Sequence, residues 1–422
     1  MSDTAAPPSP ALTSGPSVWR RREFVRLLAI SITVALGFGM IVPVFPLFAR
    51  SFGVGLAAIG LVQLVFGLTR FSFGLVGGLV VDRFGERACT MTGLLVVAIS
   101  SYAVGFAQNF PQLVLARGFG GAGSALFIAG LMNRILRIIE PASMGRATGA
   151  FRSSFLVGIG AGPLLGGIVS KYFGLRAPFH FYATGLLVAT AIAYIVMAGE
   201  ARDVEAERKR PIEALRAARP LFRDKRYVIA LLATIVGWWT ISGPAQVVGV
   251  VYADEQLGLS NDQIGLALTM LAVGEILILF IAGKAADHFG RRAVLAPSLA
   301  IVGAATLLFG WIQEIPVAFF PLLMLVGAGV AAGGTASGGL LADSIPKGGS
   351  GTAVGVNQMA GDLGYLLSPT SIGYLAETFS YRIAYLAGAI PALVVFFASL
   401  TLPRGGGIRE EQPQPEPHEP VG

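Results

Sequence analysis

Charge is scarce in this chain, and so are the residues that build metal or disulfide frameworks. Only 13% of its 422 residues are Asp, Glu, Lys or Arg, about half the share in an ordinary soluble domain. Cys89 is the one cysteine, which excludes an intrachain disulfide framework and a cysteine-based metal centre. His180, His288 and His418 are scattered along the chain, so no histidine metal site is expected. No G-x-x-x-x-G-K-[ST] loop occurs, so no nucleotide is implied. Catalytic constellations are absent as well. The expectation is a protein that is not an enzyme and holds neither metal nor cofactor.

Apolar residues, by contrast, make up 54% of the chain. A soluble fold of this size could not hide so much apolar surface, whereas a bilayer accepts it on outward-facing helices. The apolar runs are about 20 residues long, enough at 1.5 Å per residue to cross a hydrocarbon layer of roughly 30 Å. They predict spans at 25–49, 56–80, 90–109, 112–133, 148–170 and 179–198, then at 227–252, 263–285, 293–312, 317–341, 352–374 and 383–402. The fold expected is an all-α membrane protein of twelve helices in two pseudo-symmetric six-helix bundles. Its parts are a segment 1–24, a bundle 25–199, a linker 200–226 with one amphipathic helix, a bundle 227–402 and a disordered tail 403–422. Residues 1–24 hold no apolar core of signal-peptide type, so span one is expected to be retained.

The formal net charge of +7 does not point to nucleic acid, because the basic residues gather at alternate helix ends. Of the 31 Lys and Arg, Arg50, Lys171, Arg176 and Arg382 fall on one side, Arg70 and Arg117 fall within spans, and the other 25 lie on the opposite side. The positive-inside rule makes that richer side cytoplasmic. An inner (plasma) membrane protein with both termini in the cytoplasm is expected.

The halves repeat. Gly78-Leu-Val-Val-Asp82-Arg83-Phe84-Gly85-Glu86-Arg87 and Gly283-Lys-Ala-Ala-Asp287-His288-Phe289-Gly290-Arg291-Arg292 both read G-x-x-x-D-x-F-G-x-R. Span five carries Gly149, Gly158, Gly162-Pro163, Gly166 and Gly167. Span eleven answers with Gly355, Gly364, Ser368-Pro369 and Gly373. Duplicated six-helix halves are a common transporter architecture, with the substrate site at the midplane.

With Leu36-Gly37-x5-Pro43-Val44-x-Pro46 in span one and Arg117-x-x-Gly120-Gly121-x-Gly123-x-Ala125 in span four, these motifs resemble those of the major facilitator superfamily. More narrowly, they resemble its twelve-span drug:proton antiporters. The resemblance runs from residue 25 to about 402. It implies that the loop at Gly78, Asp82, Arg83, Gly85 and Arg87, with its copy at Gly283, Asp287, Gly290 and Arg291, latches a cytoplasmic gate. Glu86 departs from the basic residue usual at its position. The resemblance also implies that Arg117 serves proton transfer, and that the glycine–proline pattern of span five belongs to efflux by exchange. Plain physics offers alternatives: a merely kinked first helix, or an Arg117 bonded to backbone carbonyls. A smooth glycine face would also let the two halves pack in one state and slide apart in another.

Ionisable groups at membrane depth are functional candidates. The first half has no clear mid-span carboxylate; the second has Glu275 and Asp362. Arg70 precedes Asp82 by the same 12 residues by which Glu275 precedes Asp287, so both lie about 18 Å from the cytoplasmic end. Asp362 lies about 15 Å deep. The resemblance suggests an Arg70–Asp362 ion pair, which leaves Glu275 without an evident partner. A carboxyl buried alone favours its neutral form, which suits a proton carrier. Glu275 is therefore the first candidate for coupling and Asp362 the second, with a structural role for both as the alternative.

Phe38, Phe45, Phe71, Trp238, Trp239 and Tyr365 are candidate cavity aromatics, suited to lipophilic or cationic solutes; for each one taken alone, facing lipid or core is the stronger reading. Gln63, Gln246, Asn357 and Gln358 could bond substrate or join helices. The function expected is proton-coupled efflux of a small drug-like or metabolite solute by a monomer in the bilayer. Uptake or facilitated diffusion of a metabolite such as a sugar is the alternative on the same fold.

Overall fold

The computed structural model describes residues 22–139, 143–197, 219–345 and 350–403. Most of the segment 1–24, most of the 200–226 linker with its expected amphipathic helix, and nearly all of the tail 403–422 lie outside the described residues. No strand occurs among the described residues. Eleven helices among the described residues are long and apolar enough to cross a membrane. Ser350–Thr378 is just as long at 29 residues but is not among those eleven. It carries Asn357, Gln358 and Asp362 along its length.

Prolines and glycines shape the spans where the sequence puts them. Span one runs as a helix over Arg22–Ile41, breaks in a turn at Val42–Pro43, and resumes as Val44–Arg50. Pro43 and Pro46 lack the N–H donors that a continuous helix would use there. Span seven starts as an α-helix over Lys225–Thr240, widens into a π-helical stretch over Ile241–Val248 around Pro244, and ends as Gly249–Glu255. Spans two and three are Leu56–Phe84 and Glu86–Phe106, separated by Gly85 at φ +82°. Spans eight and nine are Asn261–Phe289 and the helix beginning at Arg291, separated by Gly290 at φ +90°. Only glycine adopts that backbone freely, which gives a conformational reason for the glycine in both copies of the loop motif.

The chain divides into two compact units, Met1–Val42 with Val65–Arg208, and Pro43–Leu64 with Lys209–Gly422. In the first, span one packs on spans five (Met144–Phe173) and six (Ala177–Val196), and span three on four (Phe110–Ile138) and six. In the second, span seven packs on eleven and on twelve (Tyr381–Ser399), and span nine on ten (Phe319–Ser344) and twelve. Each of these pairings in one unit thus has its counterpart six spans later.

Candidate functional site

In the first unit the glycines of span five meet span one at backbone distance. A Cβ at Gly158 would lie 2.6 Å from the Ala35 methyl, and one at Gly162 2.5 Å from Gly39 Cα. Gly166 faces the Met40 carbonyl just as closely. Gly167 is buried too, and its carbonyl accepts from Ser170. Pro163 lies inside the helix, and Gly149 faces open space. This glycine face therefore sets the closeness of spans one and five within one unit. In the second unit Gly364 meets the Ile235 carbonyl, while Gly355, the counterpart of Gly149, is open in its turn. Ser368 stands where Gly162 stands in the first copy, and its hydroxyl donates to the Trp239 carbonyl at 2.7 Å. One turn back, Ser242 in the π-helical stretch donates to the Tyr365 carbonyl at 2.5 Å.

Arg117 on span four is a buried cation of the first unit, only 5% exposed. Its guanidinium carbon lies 4.3 Å from the Phe66 ring centre and 5.8 Å from that of Phe38. Gly121 lets the Phe66 backbone close in from one side. Gly123 lets span three close in from the other, where a Cβ would lie 2.7 Å from the Gly93 carbonyl oxygen. An aromatic face stabilises a desolvated cation by about 2 kcal/mol or more. Tyr182, fully buried on span six, lies against Gly37 and within electrostatic reach of Arg117 and Arg70. Arg70 itself is exposed and Phe71 half-buried. Sequence reading missed Phe66 and Tyr182, although Phe66 stands one turn before Arg70.

The second unit holds both carboxylates. Glu275 is half-buried on span eight and makes no hydrogen bond or ion pair among the described residues. Beside it, Gly274 brings span eight against the backbone of Met324 and Ala328 on span ten. Asp362 accepts from Gln358 at 3.3 Å. Asn357 accepts from Thr234 at 2.8 Å. Trp238 and Tyr365 meet edge to face at 5.9 Å, and Trp239 keeps a buried indole N–H without a partner. Phe45 is buried, and the chain division assigns it to this unit.

The two loop motifs hold the ends of their own units. Gly78 and the side chain of Asp82 lie outside the described set. Arg83 is exposed and lies over the Phe84 ring. Arg87 donates to the Tyr194 carbonyl at 3.1 Å, on span six. Its counterpart Arg292 donates to the Leu402 carbonyl at 2.7 Å, just past span twelve. Gly283 lies in ordinary contact with Thr335. Asp287 accepts from Arg291 at 2.6 Å. Glu86 is buried and pairs with Arg134 at 2.8 Å and with Arg137 at 3.3 Å. Arg134 also pairs with Glu23 on span one at 2.6 Å.

At the opposite end, Arg50 donates to Glu255 at 2.7 Å and to the Val54 carbonyl at 2.9 Å, and Tyr381 donates to the other Glu255 oxygen at 2.8 Å. Partial burial opposes the Arg50 charge, but the hydrogen bond and attraction to Glu255 outweigh it and raise its pKa above the usual guanidinium range.

Long apolar helices in a six-span repeat, with a buried arginine and a solitary carboxyl at membrane depth, define a multi-pass membrane transporter of duplicated build. The family model of the Major Facilitator Superfamily matches residues 27–254 and 245–421, so the chain belongs to that family. The multidrug resistance protein MdtG of Salmonella arizonae is 25% identical, over 91% of this chain and 95% of that protein. The multi-drug resistance efflux pump PmrA of Streptococcus pneumoniae is 22% identical, over 83% of this chain and 88% of its own. Among solved structures, a bacterial homologue of the human lysosomal transporter Spinster, inward-facing and unoccupied, superposes with a TM-score of 0.75 at 16% identity, over 92% of this chain and 98% of that one.

Proposed function

We propose that this transporter exports a small lipophilic or cationic solute across the plasma membrane in exchange for protons, by alternating access of its two repeats. In this reading it works as a monomer, with both termini and the 200–226 linker in the cytoplasm. Glu275 carries the coupling proton, and Asp362 is the second candidate. The observation that supports coupling most is the solitary Glu275 carboxyl, midway along an apolar span, without a partner among the described residues. An ionised carboxylate is costly at that depth, so the group takes a proton readily and gives it up when water reaches it. The direction of transport is supported by the span-five pattern and by relatives whose names speak of multidrug resistance. Aromatic candidates in both units, Phe38 and Phe71 in the first and Phe45, Trp238, Trp239 and Tyr365 in the second, suit an apolar cation. Arg117, buried against aromatic rings, serves the proton step in this reading, with Arg70 nearby.

The test is a growth-inhibition and dye-accumulation panel in an efflux-deficient host, repeated with a proton uncoupler. Export predicts lower accumulation of at least one compound class, abolished by the uncoupler. Increased accumulation, or insensitivity to the uncoupler, would favour uptake or facilitated diffusion.

A further inference from the structure

A small cavity of about 80 Å³, of mixed polar and apolar lining, lies at the Lys/Arg-rich end of the second unit, away from every residue assigned to transport chemistry except the loop motif. At roughly 30 Å³ per water it has room for two or three waters or one oxyanion. Arg226, Arg291 and Arg292 line it, and Asp343 is the one acidic residue in the lining. Two of these arginines are committed. Arg291 is held by Asp287 at 2.6 Å and by Asp343 at 3.5 Å, and it lies flat over Gly339. Arg292 spends one nitrogen on the Leu402 carbonyl at 2.7 Å. The Arg226 side chain is exposed and makes no hydrogen bond or ion pair among the described residues. Gly290, also in the lining, turns the chain at φ +90° directly into the helix beginning at Arg291. The Ala293 N–H donates to the Gly290 carbonyl at 3.2 Å, which leaves the N–H groups of Arg291 and Arg292 as the helix-start donors without an acceptor one turn back, and the helix dipole adds partial positive charge.

We propose that this cavity is a binding site for a phosphate oxyanion, held by Arg226, by the remaining donors of Arg292 and by the start of span nine. An excess of guanidinium over carboxylate, beside free helix-terminal N–H groups, is the chemistry that recognises phosphate. The site stands at the end of a span, at headgroup depth, where the phosphodiester of an anionic lipid is one source and free phosphate the other. The inference rests on the membrane placement of the chain and not on proton coupling or direction of transport.

The test is thermal unfolding of the full-length protein in mild detergent, titrated with phosphatidylglycerol, with phosphatidylcholine, and with inorganic phosphate against chloride at equal ionic strength. Phosphatidylglycerol is expected to raise the unfolding temperature at lower concentration than phosphatidylcholine. Arg226→Gln is expected to raise the half-saturating concentration about tenfold, as loss of one charge-assisted hydrogen bond would. Arg223→Gln, an exposed arginine outside the cavity, should titrate like the wild type. Because Arg226 is exposed, its variant is expected to fold; Arg226→Lys should retain part of the affinity and checks the charge separately. Protection by inorganic phosphate alone, lost in Arg226→Gln, would assign the site to the free anion. Equal titration of wild type and Arg226→Gln by both probes, or equal losses in Arg223→Gln and Arg226→Gln, would overturn the site as mere surface charge.

Discussion

Glu86 and Arg291 occupy the same position in two copies of one loop and carry opposite charge, yet each pairs with its opposite on the fourth span of its own half. Glu86 takes Arg134 and Arg137; Arg291 takes Asp343, as well as Asp287 in its own loop. The departure of Glu86 from a basic residue is thus matched by arginines on span four. The pairing is kept while its sign is reversed. Arg134 and Glu86 are both about 5% exposed, so neither charge can fall back on water if its partner is removed. Glu86→Ala is expected to destabilise the protein by about 3–5 kcal/mol, with Glu86→Lys worse. Arg291→Ala, whose partners Asp287 and Asp343 are both exposed, should cost about 1 kcal/mol or less. Thermal unfolding in detergent separates the two.

The pair Arg50–Glu255 is also set 205 residues apart, the spacing of the loop motifs. Both residues lie in the second unit, so loss of the pair is expected to loosen the end of span one against span seven there. Both side chains are about one-third exposed, so the pair is worth about 1 kcal/mol at most, a shift of roughly fivefold in a conformational equilibrium. Cys89 is buried, which allows a cysteine introduced at the exposed Ser51 to report alone. Arg50→Glu and Glu255→Arg should each speed its labelling, and the double reversal should restore the wild-type rate. Faster labelling in the double variant than in either single one would contradict the pairing.

Gly162 and Gly149 belong to one sequence pattern but carry different burdens. A side chain at Gly162 would strike the backbone of Gly39, whereas one at Gly149 meets nothing within 4 Å. Gly162→Val should cost about 1–3 kcal/mol through overpacking and reduce folded yield. Gly149→Ala should be neutral or slightly stabilising through its helix propensity. Unfolding temperature and yield after size-exclusion chromatography would check both.

The spans were legible because a bilayer imposes length and apolarity on each helix separately; every predicted span overlaps a helix found in the structure. The break at Val42–Pro43 was legible for a similar local reason, a missing donor. Glu86–Arg134 was not, because partners 48 residues apart meet only once spans three and four have packed. Arg117 could be assigned to the interior by the cost of its charge, but its aromatic neighbours depend on how Gly121 and Gly37 let other spans approach. The Arg50–Glu255 contact was hidden for another reason. The end of span one joins the second unit, a packing choice that periodicity does not encode.

The central claim is that Glu275 couples solute movement to protons. Its most direct test is transport of a confirmed substrate in proteoliposomes, wild type against Glu275→Gln. Both are driven first by an imposed pH gradient and then by substrate counterflow without one. The account predicts that Glu275→Gln loses gradient-driven accumulation while keeping counterflow. Undiminished gradient-driven accumulation in Glu275→Gln would contradict it.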